Sequence, residues 1–433
     1  MSPLESPARV GAQSPATTTP TTTATATPPR AIMLVSYAAF ILAGWTGLFV
    51  PSLIRGLEAD FARSDAEFGL VYLVSALLFA AGALSSGLAS GLVGRRVVNA
   101  AAALLIATGM ALEVVAPTWP VFVVGAGLTG AGCGAIVSVG SSIVMDLAAS
   151  GSGSKLSLLH LFYSVGALVA PVAIGVLVSL GTGWRPIAAA TGLAALALAQ
   201  PLSRAGAVPP RPRPAVPSSS AAPSSSTEPD ARTPNALRLA LAALGIAIAC
   251  YVAAESGVSS WLVGFLADEP LTAATLALSL FWAGIAAGRV TASRIADRFD
   301  PIRFTASCTT AGGLAILIAV AFASGPLRIG LFLAAGFAFG PVYPMIMSVA
   351  GSLFPHRAAA VAGIVTSTGV VGSISYPPLV GLVAGVVGLG AGMVGAALLI
   401  LTSGGTVVVA GRLARGHGSP KRNTTRTGER GRR

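Results

Sequence analysis

RAGAVPPRPRPAVPSSSAAPSSSTEPDARTP, residues 204–234, has no apolar run with which to bury a core. Its prolines lack a main-chain donor, and its Pro/Ser-rich, basic composition is that of a flexible linker. What it separates decides the fold. Upstream lie six predominantly apolar windows, at 31–54, 67–91, 97–116, 119–145, 157–180 and 184–203. Downstream lie six more, at 236–266, 272–293, 303–324, 327–350, 358–384 and 387–411. Each approaches or exceeds the roughly 20 apolar residues a helix needs to cross the hydrocarbon of a bilayer. The runs are continuous, whereas strands of a membrane barrel would alternate apolar and polar residues.

Composition points the same way. The 433 residues are 54% hydrophobic and 10% charged, with a mean hydropathy of +0.80, too few polar residues to cover soluble domains of this size. The sequence predicts an all-α membrane protein of twelve transmembrane helices in two six-helix bundles, 31–203 and 235–414. Residues 1–30, Thr/Pro/Ala-rich and lacking a signal-peptide core, are expected to form a disordered tail. Residues 415–433 form a basic tail that either rests against anionic headgroups or is simply solvated.

The net charge of +12 is not gathered in an aromatic-lined groove of the kind that holds nucleic acid, so no nucleic-acid partner is expected. It marks topology instead. Arg95, Arg96, Lys155, Arg294, Arg298, Arg303 and Arg357 fall on one face of the expected membrane helices. On the other face Arg55, Arg63, Arg185 and Arg328 are diluted by Glu58, Asp60, Asp65, Glu67, Asp268 and Glu269. The positive-inside rule then puts both termini and the linker in the cytoplasm, with the chain in the plasma (cytoplasmic) membrane. Cys133, Cys250 and Cys308 lie inside apolar windows at unrelated spacings and read as small packing residues, not disulfides or metal ligands.

The halves resemble each other. Gly166, Pro171 and Gly175 recur as Gly372, Pro377 and Gly381 at a constant offset of 206, as two pseudo-symmetric bundles would require. The loop after the second span reads Gly87-Leu-Ala-Ser-Gly91-Leu-Val-Gly94-Arg95-Arg96. It resembles the G-x-x-x-D-R-x-G-R-R signature of the major facilitator superfamily, with Gly91 and Leu92 where the signature has Asp and Arg. In the second half Asp297-Arg298 follow Gly288-Arg289. The resemblance implies the major facilitator fold, alternating access of a solute between the bundles, and gating charges among Arg95, Arg96, Arg289, Arg294, Asp297 and Arg298. Asp146, at the cytoplasmic end of the fourth span, is expected to close that side by pairing with Arg289 or Arg294.

Several spans are similar to the fucose–proton symporter branch. The seventh carries Tyr251-Val-Ala-Ala-Glu255-Ser-Gly-Val-Ser-Ser-Trp261-Leu, the fifth Leu159-His160-Leu-Phe-Tyr163-Ser164-Val-Gly166, the eighth Trp282-Ala-Gly284, and the tenth Gly340-Pro341-Val-Tyr343-Pro344. This resemblance implies proton-coupled sugar uptake. Glu255 reads as the one acidic side chain clearly inside a span, since Glu113 sits near the end of the third. A carboxylate there is costly and therefore functional by default. Tyr251, Glu255 and Ser259 share one helical face, and His160, Tyr163 and Ser164 are expected to line the same cavity. Trp45, Trp261, Trp282, Tyr343 and Tyr376 are candidate contacts to the solute. The branch also has acids in its first and fourth spans. This chain has none in the first and Ile136-Val-Ser-Val-Gly-Ser-Ser142 in the fourth, so coupling rests on Glu255 or His160, and an uncoupled facilitator stays open.

Gly125-Ala-Gly127-Leu-Thr-Gly130 fits a dinucleotide fingerprint, but it lies within an apolar span where glycines serve helix packing. Gly87/Gly91, Gly284/Gly288, Gly336/Gly340 and Gly381/Gly385 read the same way. No zinc, nucleophile or acid-dyad motif of a membrane enzyme is present, nor the filter motif of a channel. The expected partners are a small solute, protons and lipid, with no cofactor and with the monomer as the working unit. Drug or metabolite efflux by the same fold is the alternative to uptake.

Overall fold

The computed structural model describes residues 29–147, 152–207, 235–354 and 357–415. The two tails and nearly all of the 204–234 linker therefore lie outside the described residues. Every regular element among the described residues is helical. In chain order these are α1 (Pro29–Gly47), α2 (Phe49–Phe61), α3 (Asp65–Leu92), α4 (Arg95–Val115), α5 (Trp119–Leu147), α6 (Ser152–Ser179), α7 (Trp184–Ala205), α8 (Asn235–Phe265), α9 (Leu271–Ile295), α10 (Pro301–Ala321), α11 (Gly325–Phe339), α12 (Val342–Leu353), α13 (Ala358–Val387) and α14 (Leu389–Arg415). With α1–α2 and α11–α12 each forming one interrupted span, they make twelve helices long and apolar enough to cross a membrane. Six precede the linker and six follow it.

Both interruptions trace to proline. Pro51 cannot donate to the carbonyl of Gly47, where α1 ends, and Pro341 and Pro344 do the same to Phe337 and Gly340 at the α11–α12 break. Pro171 and Pro377 sit inside continuous helices. Loops are short and locally encoded. Ser64 and Glu67 form a capping box at the start of α3, and Asp300 caps α10 ahead of Pro301. Gly94 takes a φ of 84° in the turn before α4, a conformation open to glycine at no steric cost.

Glycine carries much of the helix packing. A methyl group added at Gly284 or Gly288 of α9 would collide with main chain at Leu333 or Phe337 of α11, and one at Gly336 or Gly340 would collide with Phe281 or Ile285 of α9. The two helices thus interlock through reciprocal G-x-x-x-G faces. Gly125, Gly127 and Gly130 press α5 against Gly109, Leu78 and Ser75, which makes that run a packing surface. The internal repeat has the same basis: Gly166 of α6 abuts Ile41 of α1, and its counterpart Gly372 of α13 abuts Ala249 of α8. Gly87, Gly91 and Gly385 meet no neighbouring atoms, so the contacts expected of them are absent. Gly87 and Gly91 lie on exposed turns at the end of α3.

Candidate functional site

The helices alternate in direction, so all the described chain ends lie on one side of the membrane, here the near side. Contacts between the bundles gather toward the far side. Gly69 of α3 packs on Pro378 of α13, Gly381 on the Asp65 carbonyl, and Gly175 of α6 on Thr275 of α9. The Val172 N–H donates to Ser279 Oγ at 3.0 Å, and Tyr72 Oη of α3 to the Ser260 carbonyl of α8 at 2.9 Å. Arg55 of α2 reaches over the end of α8. Its Nε donates to the Val263 carbonyl at 2.9 Å, Nη1 to the Glu269 carbonyl at 2.8 Å, and Nη2 to the Leu266 carbonyl. Helix C-terminal carbonyls lack intrahelical partners and carry partial negative charge, so a guanidinium is well matched to them.

Nearer the chain ends lies a group of polar side chains, partly exposed except for the buried Tyr251. Glu255 of α8 accepts a hydrogen bond from Tyr251 Oη, one turn earlier on the same face. Arg289 of α9 places Nη2 4.0 Å from Glu255 Oε2, with the two side chains 38% and 19% exposed. The Tyr343 ring of α12 stands 6.3 Å from that of Tyr251, and its hydroxyl is 3.2 Å from Thr366 Oγ1 of α13. From the other bundle, α6 presents His160, exposed and edge-on to Phe40 and within electrostatic reach of Arg289. Tyr163, one turn deeper, meets Trp282 of α9 across the bundle interface with ring centroids 6.4 Å apart. The arrangement gathers a carboxylate, a guanidinium, an imidazole and three phenols near the bundle interface, groups suited to hydrogen-bonding a small polar solute and to taking up and releasing a proton.

Other predicted site residues are elsewhere. Trp261 is fully buried and donates its indole N–H to the Pro377 carbonyl at 2.8 Å. Tyr376 is buried against Gly257 and Gly395 and donates to the Gly392 carbonyl at 2.6 Å. Tyr376 packs within the second bundle and Trp261 also meets the Tyr72 ring of the first, edge-on at 5.3 Å; the polar atoms of both already have internal partners. Ser259 is buried there too, its hydroxyl without a partner. Ser164 bonds back to the His160 carbonyl at 3.3 Å. Trp45 is turned toward α7, donating to Thr191 Oγ1 at 3.0 Å.

The gating charges also differ from expectation. Asp146 pairs with Arg95 of its own bundle at 2.5 Å, and the side chains are 22% and 16% exposed. It does not pair with Arg289, which faces inward to Glu255, or with Arg294, which is exposed. Arg95 opens α4 beside the end of α5 and is simply nearer. Arg96 and Arg298 are exposed, and the side chain of Asp297 lies outside the described residues. Three functional candidates escaped the sequence reading. Arg55 and Tyr72 cross between bundles, and Glu113, two residues from the end of α4, is buried against Thr129 of α5.

The sequence profile of the Major Facilitator Superfamily matches residues 33–377. Among solved structures, the fold is similar to a bacterial homolog of the human lysosomal transporter Spinster, in an inward-facing and occupied conformation. That match has 14% identity and a TM-score of 0.71, covering 89% of this chain and 98% of the other. It is also similar to a D-xylose–proton symporter, at 18% identity and a TM-score of 0.65 over 86% and 97% of the two chains. The inward-open xylose transporter XylE from E. coli gives 14% identity and a TM-score of 0.66 over 87% and 94%. No curated protein matches the sequence. With the profile covering most of the chain and twelve spans in two bundles beneath it, this multi-pass membrane protein belongs to the Major Facilitator Superfamily of transporters.

Proposed function

We propose that the protein imports a small polar solute, most simply a sugar, in symport with protons. In this reading it acts as a monomer in the cytoplasmic membrane, with its chain ends in the cytoplasm, in the manner of the fucose–proton symporter branch. The observation that carries the reading is the Tyr251–Glu255–Arg289 cluster between α8 and α9. An acid held by a phenol and a guanidinium has three competitors for its oxygens: Arg289, a solute hydroxyl and a proton. Protonation of Glu255 releases Arg289, and solute and proton then leave together when the acid ionises again and recovers its partner. His160 and Tyr163, on the opposite wall, complete the solute's hydrogen bonds, and Trp282 supplies an apolar face.

Two further facts support it. The interbundle hydrogen bonds and glycine contacts gather on the side away from the arginine-rich face, and the structural neighbours include a D-xylose–proton symporter and inward-facing transporters. The test is uptake of labelled sugars into proteoliposomes with and without an inward proton gradient, for the wild type and Glu255→Gln. Accumulation that Glu255→Gln reduces to equilibration is expected. Absence of sugar uptake at every pH overturns the sugar reading and directs the same assay to efflux of amphipathic drugs.

A further inference from the structure

A second carboxyl group lies in the first bundle, apart from the cluster around Glu255. Glu113 of α4 is 1% exposed. Thr129 Oγ1 donates to its Oε1 at 3.3 Å, while Oε2 is buried with no hydrogen-bond partner. Glu113 lines a partly open pocket of about 110 Å³ with Thr46, Tyr72, Ser75, Cys133 and Tyr163, room for a few waters at ~30 Å³ each. The titratable groups facing it are Tyr72 of α3, Cys133 of α5 and Tyr163 of α6. The charges of α7, which also packs on α4, are Arg185 and Arg204 at its two ends. None of the ion pairs among the described residues includes Glu113.

An ionised carboxylate without a counter-charge is heavily penalised in such surroundings. A proton on Oε2 removes the charge and leaves a neutral acid, still bonded to Thr129, that the mostly apolar pocket can accommodate. We propose that Glu113 is a proton-binding site of the first bundle, separate from Glu255, its carboxyl closed off from the far side in this conformation and opened to exchange there when the far side parts.

The seal is built from the same parts that close the bundles. Tyr72 lines the cavity and also donates to the Ser260 carbonyl in the other bundle. Phe49, Val50 and Pro51, just past the α1–α2 break, form another wall, and α2 is the helix that Arg55 ties to the end of α8. Separating α3 and α2 from α8 removes the acceptor of Tyr72 and loosens two walls at once, giving water and protons access to Glu113 from the far side. This inference rests on the alternating-access part of the functional reading and is independent of the solute class.

The test is infrared difference spectroscopy of the whole protein in lipid, following the carbonyl stretch of protonated carboxylic acids as pH is raised. The wild type and Glu255→Gln should show a buried-acid band that Glu113→Gln lacks. Glu113→Asp, which keeps an acid on a shorter stem, should show it displaced. In Arg55→Ala, whose far side is less firmly closed, the band should be lost at lower pH than in the wild type. No band in the wild type at neutral pH, or one that survives Glu113→Gln, overturns the site. A band that titrates identically in wild type and Arg55→Ala overturns the seal. Failure of sugar uptake with the band behaving as expected refutes the solute class and supports the site.

Discussion

Arg55 Nε donates to the main-chain carbonyl of Val263 at 2.9 Å, joining the middle of α2 in the first bundle to the last turn of α8 in the second. With its two companions to Leu266 and Glu269, this bond makes Arg55 the polar latch of the closed side. Hydrogen bonds to charged groups are worth about 1.5–3 kcal/mol each, and about 1.4 kcal/mol is tenfold in a population ratio. Arg55→Ala should therefore shift the ratio of far-side-open to far-side-closed molecules by about tenfold or more. Spin labels at the exposed positions 63 and 327, one on each bundle, should gain a longer-distance population; an unchanged distribution would remove Arg55 from the gate.

Glu255 and Arg289 should behave as a unit. Single substitutions Glu255→Gln and Arg289→Ala are each expected to lower gradient-driven uptake by about tenfold or more, roughly 1.4 kcal/mol. The double variant should be little worse than either, the non-additivity expected of contacting residues. Strictly multiplicative losses in the uptake rates would show that the two act independently.

Asp146→Asn should cost stability and leave the conformational balance alone, because its partner is Arg95 of the same bundle. The pair is about one-fifth exposed, so the loss should fall below the ~3–5 kcal/mol of a broken buried pair, at about 1–2 kcal/mol. Thermal unfolding in detergent gives the first quantity and the same spin-label pair the second. A large change in the distance distribution would restore the gating role read from the sequence.

Gly288→Val and Gly336→Val should each prevent assembly of the second bundle, since the added atoms would meet the Phe337 and Phe281 main chain. Gly87→Ala and Gly91→Ala, which point at open space, should express as the wild type does. Membrane yield and size-exclusion profiles separate these outcomes.

What the sequence conveyed followed from where the physics is local. Continuous apolar runs reveal spans because hydrocarbon tolerates little else, and the Gly284/Gly288 and Gly336/Gly340 spacings already announced a contact. The cluster at Glu255 was half legible, since Tyr251 lies one turn away on the same helix. Its partnership with Arg289 was not, because Arg289 read as a gating partner for Asp146 and its direction depends on how α9 packs beside α8. Glu113 was passed over for lying near a helix end; its burial comes from α5, where Thr129 meets it. Trp261 and Tyr376 were assigned to the site by residue type. Their hydrogen bonds to Pro377 and Gly392 carbonyls, invisible in sequence, account for them as packing. Arg55, counted only as a topological charge, crosses to a helix more than two hundred positions away in the chain.

The faces that must part also differ in texture from those that must not. Within the second bundle, α9 and α11 mesh reciprocally and cannot slide. Between the bundles, Gly69 lies against Pro378, Gly381 against the Asp65 backbone, and Gly175 against Thr275, surfaces with little side-chain relief. They behave as a bearing. At these points few rotamers need rearranging before the halves begin to turn, and the hold on the closed side comes from a few polar catches and the ring contacts Tyr72–Trp261 and Tyr163–Trp282.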